Sequence, residues 1–232
     1  MPQAGLTSIE HSCMKVGVFS DFGPTSTNII VPLLERMYEL ADLCIDPILL
    51  PSSRSAMQLK RGELDAEMVR VPTGIAATND QVILVPQPIF VTNVQFTWVK
   101  GLDFNGTLQD VAGRSVGLLR GQHATRNRFE KLTNNLTLLP NLNSAADLLA
   151  RGRVEVLVSD GVGHDELEKS LLALDKPLET KIFLQAVVYH VLQVRHTDKA
   201  ERLASALKTM IKGGEISHLG NQYGLHAPPI VQ

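Results

Sequence analysis

Cysteine and tryptophan are scarce in this chain: two of the first and one of the second among 232 residues. Two cysteines, with no CxxC pair, cannot build a Cys₄ zinc site. An excess of one charge sign is lacking as well. The formal net charge is −2, which removes the electrostatic case for nucleic acid or an acidic membrane surface as partner. No apolar run approaches the roughly 18 residues of a membrane helix, so no direct membrane insertion is expected. The opening MPQAGLTSIEHSC has neither a basic n-region nor an apolar h-region. It reads as a loose leader over residues 1–13, in a cytosolic protein or in a mature form made without its signal. HExxH and the phosphate-binding P-loop are missing too. His164, Asp165 and Glu166 are adjacent on a predicted helix and do not face one site. No metal, no cofactor and no catalysis are expected.

What remains is an ordinary globular composition, 44% hydrophobic and 20% charged. The chain is long enough for one large domain or two small lobes. Its organising stretch is Leu50 to Pro72, LPSSRSAMQLKRGELDAEMVRVP. Pro51-Ser52-Ser53 ends an apolar run and offers N-cap hydroxyls to a helix. That helix stops at Gly62, where glycine takes a left-handed turn freely. Leu64 to Val69 then reads as a strand, and Arg70 leaves its end.

The unit recurs about ninety residues on. Ala145 to Asp160, AADLLARGRVEVLVSD, aligns without gaps on Ser55 to Arg70. Gly62 meets Gly152, Asp65 meets Glu155 and Arg70 meets Asp160. A second echo precedes it: Val16-Gly17 opens one strand and Val116-Gly117 another. Internal repetition in the same order predicts two similar α/β lobes. The expected fold class is therefore α/β, two-lobed, with two crossover strands. The crossovers are expected near Val94 to Lys100 and near Val187 to His196. Lobe 1 is read as residues 14–96 plus 195–232, and lobe 2 as 97–194. Leu108 to Gly113 is read as a short helix, Gln81 to Pro88 as a strand broken by Pro86, and Trp98 as packing under the crossover.

In open parallel sheets, ligands sit outside the carboxyl ends of strands. Arg70, Arg120 and Arg54 fall near such edges, and the guanidinium fork suits carboxylate or phosphate. A solvated surface arginine or a local ion pair is the plain alternative for each. Gly121 to Thr125 opens a helix whose free N–H groups suit an anion; an ordinary capped helix is the alternative. Asp21 and Asp160 are candidates for a cationic group, one from each lobe, and Asp160-Gly161 is also plain turn chemistry. His123 is a candidate lid contact or an inert loop histidine.

Four stretches carry a resemblance: SSRSAMQLKRGELDAEMVRV, VAGRSVGLLRGQ, LLARGRVEVLVSD and MIKGGEISHLGNQYG. In this order and spacing the chain resembles solute-binding protein family 3, with the periplasmic binding protein type 2 fold. The resemblance implies two lobes closing on a small polar solute, anionic or zwitterionic, for delivery to a membrane transporter. A ligand-sensing module for a signalling receptor, or a lyase-like enzyme on the same scaffold, are the alternatives it implies. It also implies a monomer and a periplasmic location. Amino-acid-binding members carry Thr-x-x-Arg after the third strand, whereas Thr73 to Asp80 here reads TGIAATND, without arginine. Phe22 stands for the family's aromatic platform. Asp160 matches the position where an acid meets a ligand ammonium.

Cys13 precedes the first strand and Cys44 opens the second. Parallel neighbours begin at the same sheet edge, about 4.8 Å apart, inside the roughly 4.4–6.8 Å Cα span of a disulfide. A bridge and two buried free thiols both remain open. A bridge would argue for an oxidising compartment.

Overall fold

The computed structural model describes residues 13–72, 81–120, 122–173, 175–218 and 225–231. Almost all of the leader, the Thr73 to Asp80 segment and Gly121 therefore lie outside the described residues. The chain begins with β1 (Met14–Phe19), whose apolar run MKVGVF is buried at all but its second position. β2 (Ile45–Leu50) runs parallel to it, with Met14 opposite Ile45 and Phe19 opposite Leu50. β3 (Ala66–Arg70) pairs on the other side of β1, also parallel. Between β1 and β2, a π-helical turn (Ser26–Ile30) leads into α1 (Val31–Leu40), with Pro32 in its first turn. Proline is tolerated there because the first-turn N–H has no helical partner.

α2 (Ser52–Lys60) follows β2, and Gly62 takes φ 74° just after it. The chain then crosses by β5 (Phe90–Val99), after a short β4 (Val82–Leu84) that stops before Pro86. The second half repeats the plan: β6 (Val116–Leu119), α3 (His123–Phe129), β7 (Leu136–Leu139), α4 (Leu142–Ala150), β8 (Val156–Asp160) and α5 (Gly161–Leu172). β9 (Leu178–Gln193) returns the chain, α6 (Thr197–Lys212) packs against α1, and β10 (Leu225–His226) pairs with β5. Leu108 to Gly113 is a set of turns and not the expected helix. Gly113 at φ 78° closes it with Arg114 N–H on the Val111 carbonyl, too early for a helical ladder.

The two sheets exchange strands. The first runs β2-β1-β3-β9-β4 and the second β7-β6-β8-β5-β9. β5 follows the first βαβ unit in sequence yet inserts antiparallel beside β8, Val94 opposite Asp160. β9 spans both sheets. Its early residues border β5, and its last ones, Val191 and Leu192, lie between β3 and β4. This shared strand joins the ladders into one continuous path.

The sequence repeat has a physical basis in both halves. A Cβ on Gly17 would lie 2.2 Å from Ser55 Oγ and 2.8 Å from Leu64 Cδ1. A Cβ on Gly117 would lie 2.6 Å from Leu157 Cδ2 and 2.8 Å from Leu139 Cδ1. A helix and a turn residue press on β1 at the first point and residues of the flanking strands β7 and β8 press on β6 at the second, and only glycine leaves room. Asp65 accepts the Lys15 N–H at 2.8 Å, and Glu155 accepts the Ser115 N–H at 2.8 Å. Each acid thus bolts the start of the third strand of its sheet to the start of the first. Burial works against ionised Asp65, but Arg195, the Lys15 amide and His196 outweigh it and hold its carboxyl below the usual range. The Ser115 amide does most of the same for Glu155.

Cys13 and Cys44 form a disulfide, with Cα atoms 4.5 Å apart and Met14 N–H on the Cys44 carbonyl at 2.9 Å. Trp98 is buried against Phe104 and donates to Glu179 at 2.9 Å, a packing role as expected. In the first lobe's core, Tyr38 Oη lies 2.8 Å from His190 Nε2, and His190 Nδ1 lies 3.0 Å from the Met68 carbonyl. The carbonyl can only accept, so Nδ1 carries the proton and Nε2 accepts from the tyrosine. Burial lowers the His190 pKa to about 4 and raises that of Tyr38.

Candidate functional site

A cavity of about 790 Å³ opens where the carboxyl ends of β1, β3, β6 and β8 converge. This lies within the range of small-molecule sites, roughly 300–1,000 Å³. Both halves of the chain line it. Phe19, Asp21, Phe22 and Arg70 come from the first lobe; Leu119, Arg120, Thr125 and Asp160 come from the second. The repeat accounts for this convergence, since Arg70 and Asp160 occupy the same place at the ends of equivalent strands.

Arg70 is held on several sides. Its Nε donates to Glu67 Oε2 at 2.6 Å, and one terminal nitrogen reaches Glu67 Oε1 at 2.7 Å and the Ser52 carbonyl at 3.0 Å. Its guanidinium stands 4.7 Å from the centre of the Phe19 ring. In a regular strand, positions three apart face opposite ways. The register of β3 against β9 shifts between Glu67 and Arg70, and that irregularity brings the two side chains to one side. Glu67 is 1% exposed, so this is an almost fully desolvated, bidentate ion pair.

Asp21 serves a neighbouring helix. Its carboxylate accepts the Ser52 N–H at 2.7 Å and the Ser52 hydroxyl at 2.5 Å. Ser52 is the first residue of α2, and the N-cap, Pro51, contributes no side-chain bond. The acid therefore caps α2 from a distance, its negative charge set against the positive helix end. The Ser52 hydroxyl, expected as an N-cap, is directed away from its own helix. Besides Asp21 it lies 2.9 Å from the Arg120 carbonyl, in the opposite lobe. One hydroxyl hydrogen thus stands between two acceptors, and the cleft is bridged at this point.

Asp160 accepts from Gln122 Nε2 at 3.1 Å. The amide at the start of α5, Gly161 N–H, is taken by Thr92 Oγ1 at 3.1 Å. Phe22 is buried against Phe19, with ring centres 6.0 Å apart. Thr125 lies half-buried on α3 and lines the cavity. Arg120 is exposed at the end of β6 and lines it too, with no acidic partner among the described residues. Arg54 does not: it is exposed on α2, away from the lining. A nine-residue helix presents only part of its surface to the cleft, and Ser52, Ala56, Met57, Leu59 and Lys60 occupy it. Gly121 falls outside the described residues.

Sequence reasoning passed over Ser52, Glu67, Gln122 and Arg128, which also line the cavity. Glu67 carried a signal, an acid inside an otherwise apolar strand. Ser52 carried none, because its role depends on the approach of the other lobe.

No protein-family model matches the chain, and no curated protein sequence matches it. Solved structures do. A histidine kinase sensor domain, described as similar to periplasmic binding proteins, superposes with a TM-score of 0.76 at 18% identity over 94% of this chain and 99% of its own. The GluR0 ligand-binding core, solved with L-glutamate, gives 0.76 at 16% identity over 91% and 98%. ArtJ of Geobacillus stearothermophilus, an arginine-, lysine-, histidine-binding protein, gives 0.74 at 17% over 91% and 94%. Each is matched over nearly its whole length. The strand-exchanged sheets and the cavity between them give this chain the two-lobed α/β fold of the periplasmic binding proteins.

Proposed function

We propose that the chain is a non-catalytic binding protein that closes its lobes on a small anionic or zwitterionic solute. The observation that carries this is the cavity itself, about 790 Å³, bordered by the strand ends of both lobes. The Ser52 bridge to the Arg120 carbonyl supports closure as the working motion. Arg120, Thr125 and Phe22 are assigned to the ligand, while Arg70, Asp21 and Asp160 shape the cavity through their partners. We take the lobe boundary to fall within β5 and within β9.

Delivery to a membrane transporter is the favoured setting, supported by the likeness to ArtJ. Sensing for a signalling partner is the second reading, supported by the likeness to a histidine kinase sensor domain. The Cys13–Cys44 disulfide favours an oxidising compartment such as the periplasm. No helix of the described residues is long and apolar enough to cross a membrane. Against catalysis, Asp21 is engaged by Ser52 and Asp160 by Gln122, so neither stands ready as a general base.

A thermal-shift screen of metabolite-sized acids, amino acids and neutral polar solutes tests this reading. A binder at a hundredfold excess over its Kd should add roughly 2.7 kcal/mol of stability, with a decrease in the radius of gyration by X-ray scattering. A screen in which nothing binds, with no co-purified small molecule in the native mass spectrum, would sink it.

A further inference from the structure

We infer that the solute is an organic monoanion with an apolar body and an uncharged hydroxyl, and not an α-amino acid. This rests on the binding reading above and narrows it. Three observations carry it.

The first is charge. Among the described residues lining the cavity, the acids are Asp21, Glu67 and Asp160, and the cations are Lys60, Arg70, Arg120 and Arg128. Three against four leaves one positive charge, which a monoanion neutralises and a zwitterion does not. The second is which charges already have partners. Glu67 fills the fork of Arg70, and displacing it would strand a carboxylate that is 1% exposed. Arg120 and Arg128, both in the second lobe, have no acidic partner among the described residues. The anion therefore belongs with them. An ammonium group, by contrast, would meet acids that already have donors, Ser52 on Asp21 and Gln122 on Asp160.

The third observation is the rest of the wall. Phe19, Phe22, Val69, Val94, Leu119 and Phe129 line it, a surface suited to an aryl or branched alkyl body. Within it, the side-chain oxygen of Gln122 is sealed from solvent and accepts no hydrogen bond among the described residues. A neutral acceptor left so invites one donor. A ligand hydroxyl supplies it without the second charge an ammonium would bring.

Three matched probes test this by isothermal titration calorimetry on the full, unreduced chain: 3-phenyllactate, its methyl ester and L-phenylalanine. The acid is expected to bind at least about tenfold more tightly than either of the others. Arg120→Ala and Arg128→Ala should each weaken it by roughly ten- to a hundredfold, the range of a charge-assisted hydrogen bond. Arg120→Lys, which keeps the charge, should recover part of the loss. Circular dichroism on each variant checks that it is folded. L-Phenylalanine binding as tightly as the acid, or acid binding that neither arginine variant changes, overturns the inference and leaves the binding reading standing. So does failure of the acid in a screen where an amino acid binds. A screen in which no solute binds at all overturns both.

Discussion

At the scale of single residues, the cleft is governed by partners more than by exposed charges. Arg70 sits at a strand end, where a ligand arginine was expected, yet its fork is occupied by Glu67. Asp21 caps a helix across a loop. Such roles cannot be read from residue type and position alone, because each depends on a second residue 3 to 31 positions away. Gly17 is the opposite case. Its place in a repeated Val-Gly pair marked it in the sequence, and the 2.2 Å approach to Ser55 Oγ explains it. Gly17→Ala should destabilise the fold by about 1–3 kcal/mol through overpacking; a urea midpoint unchanged from the parent would contradict this. His190 adds a pH dependence. Its native pKa of about 4 lies below the ordinary 6.5, so between those values the unfolded chain binds the extra proton. Stability should therefore fall as pH drops from 6.5 toward 4, by roughly 3 kcal/mol for this group. Urea titrations at the two ends of that window, compared with His190→Gln, isolate the contribution; an equal slope in both proteins would refute it.

At the scale of elements, repetition and turn chemistry made most of the fold legible. The ungapped match between Ser55–Arg70 and Ala145–Asp160 corresponds to α2–β3 and α4–β8, with left-handed glycines at 62 and 152. Short pieces fared worse. Leu108 to Gly113 has a helical pattern but too few residues before its glycine. Gln81 to Pro88 keeps only three strand residues, which end before the break expected at Pro86, a residue that cannot donate to a ladder. The disulfide was legible only as one of two alternatives, since sequence gives the start of a strand but not the direction of its side chains. It closes a separation of 31 residues between the starts of β1 and β2. Reduction should remove roughly 3–4 kcal/mol of stability by the chain-entropy relation. A melting temperature indifferent to reductant would show that β1 and β2 hold without it.

At the scale of the whole molecule, two lobes were legible, but the strands they trade were not located to the residue. β5 pairs with β8 of the second sheet from Val94 onward, and β9 leaves that sheet for the first. The cleft lies over these two strands, so the candidate site sits where the two sheets are joined. That arrangement also fixes an order of assembly. During synthesis, the second sheet has every strand but the two-residue β10 once residues up to about Val188 have emerged. The first lobe, although begun earlier, keeps a gap between β3 and β4 until Val191 and Leu192 arrive. The main ladder of the amino-terminal half is thus closed after that of the second half. A ribosome stalled between those two points would display a second sheet lacking only β10 and, beside it, an open sheet edge needing protection.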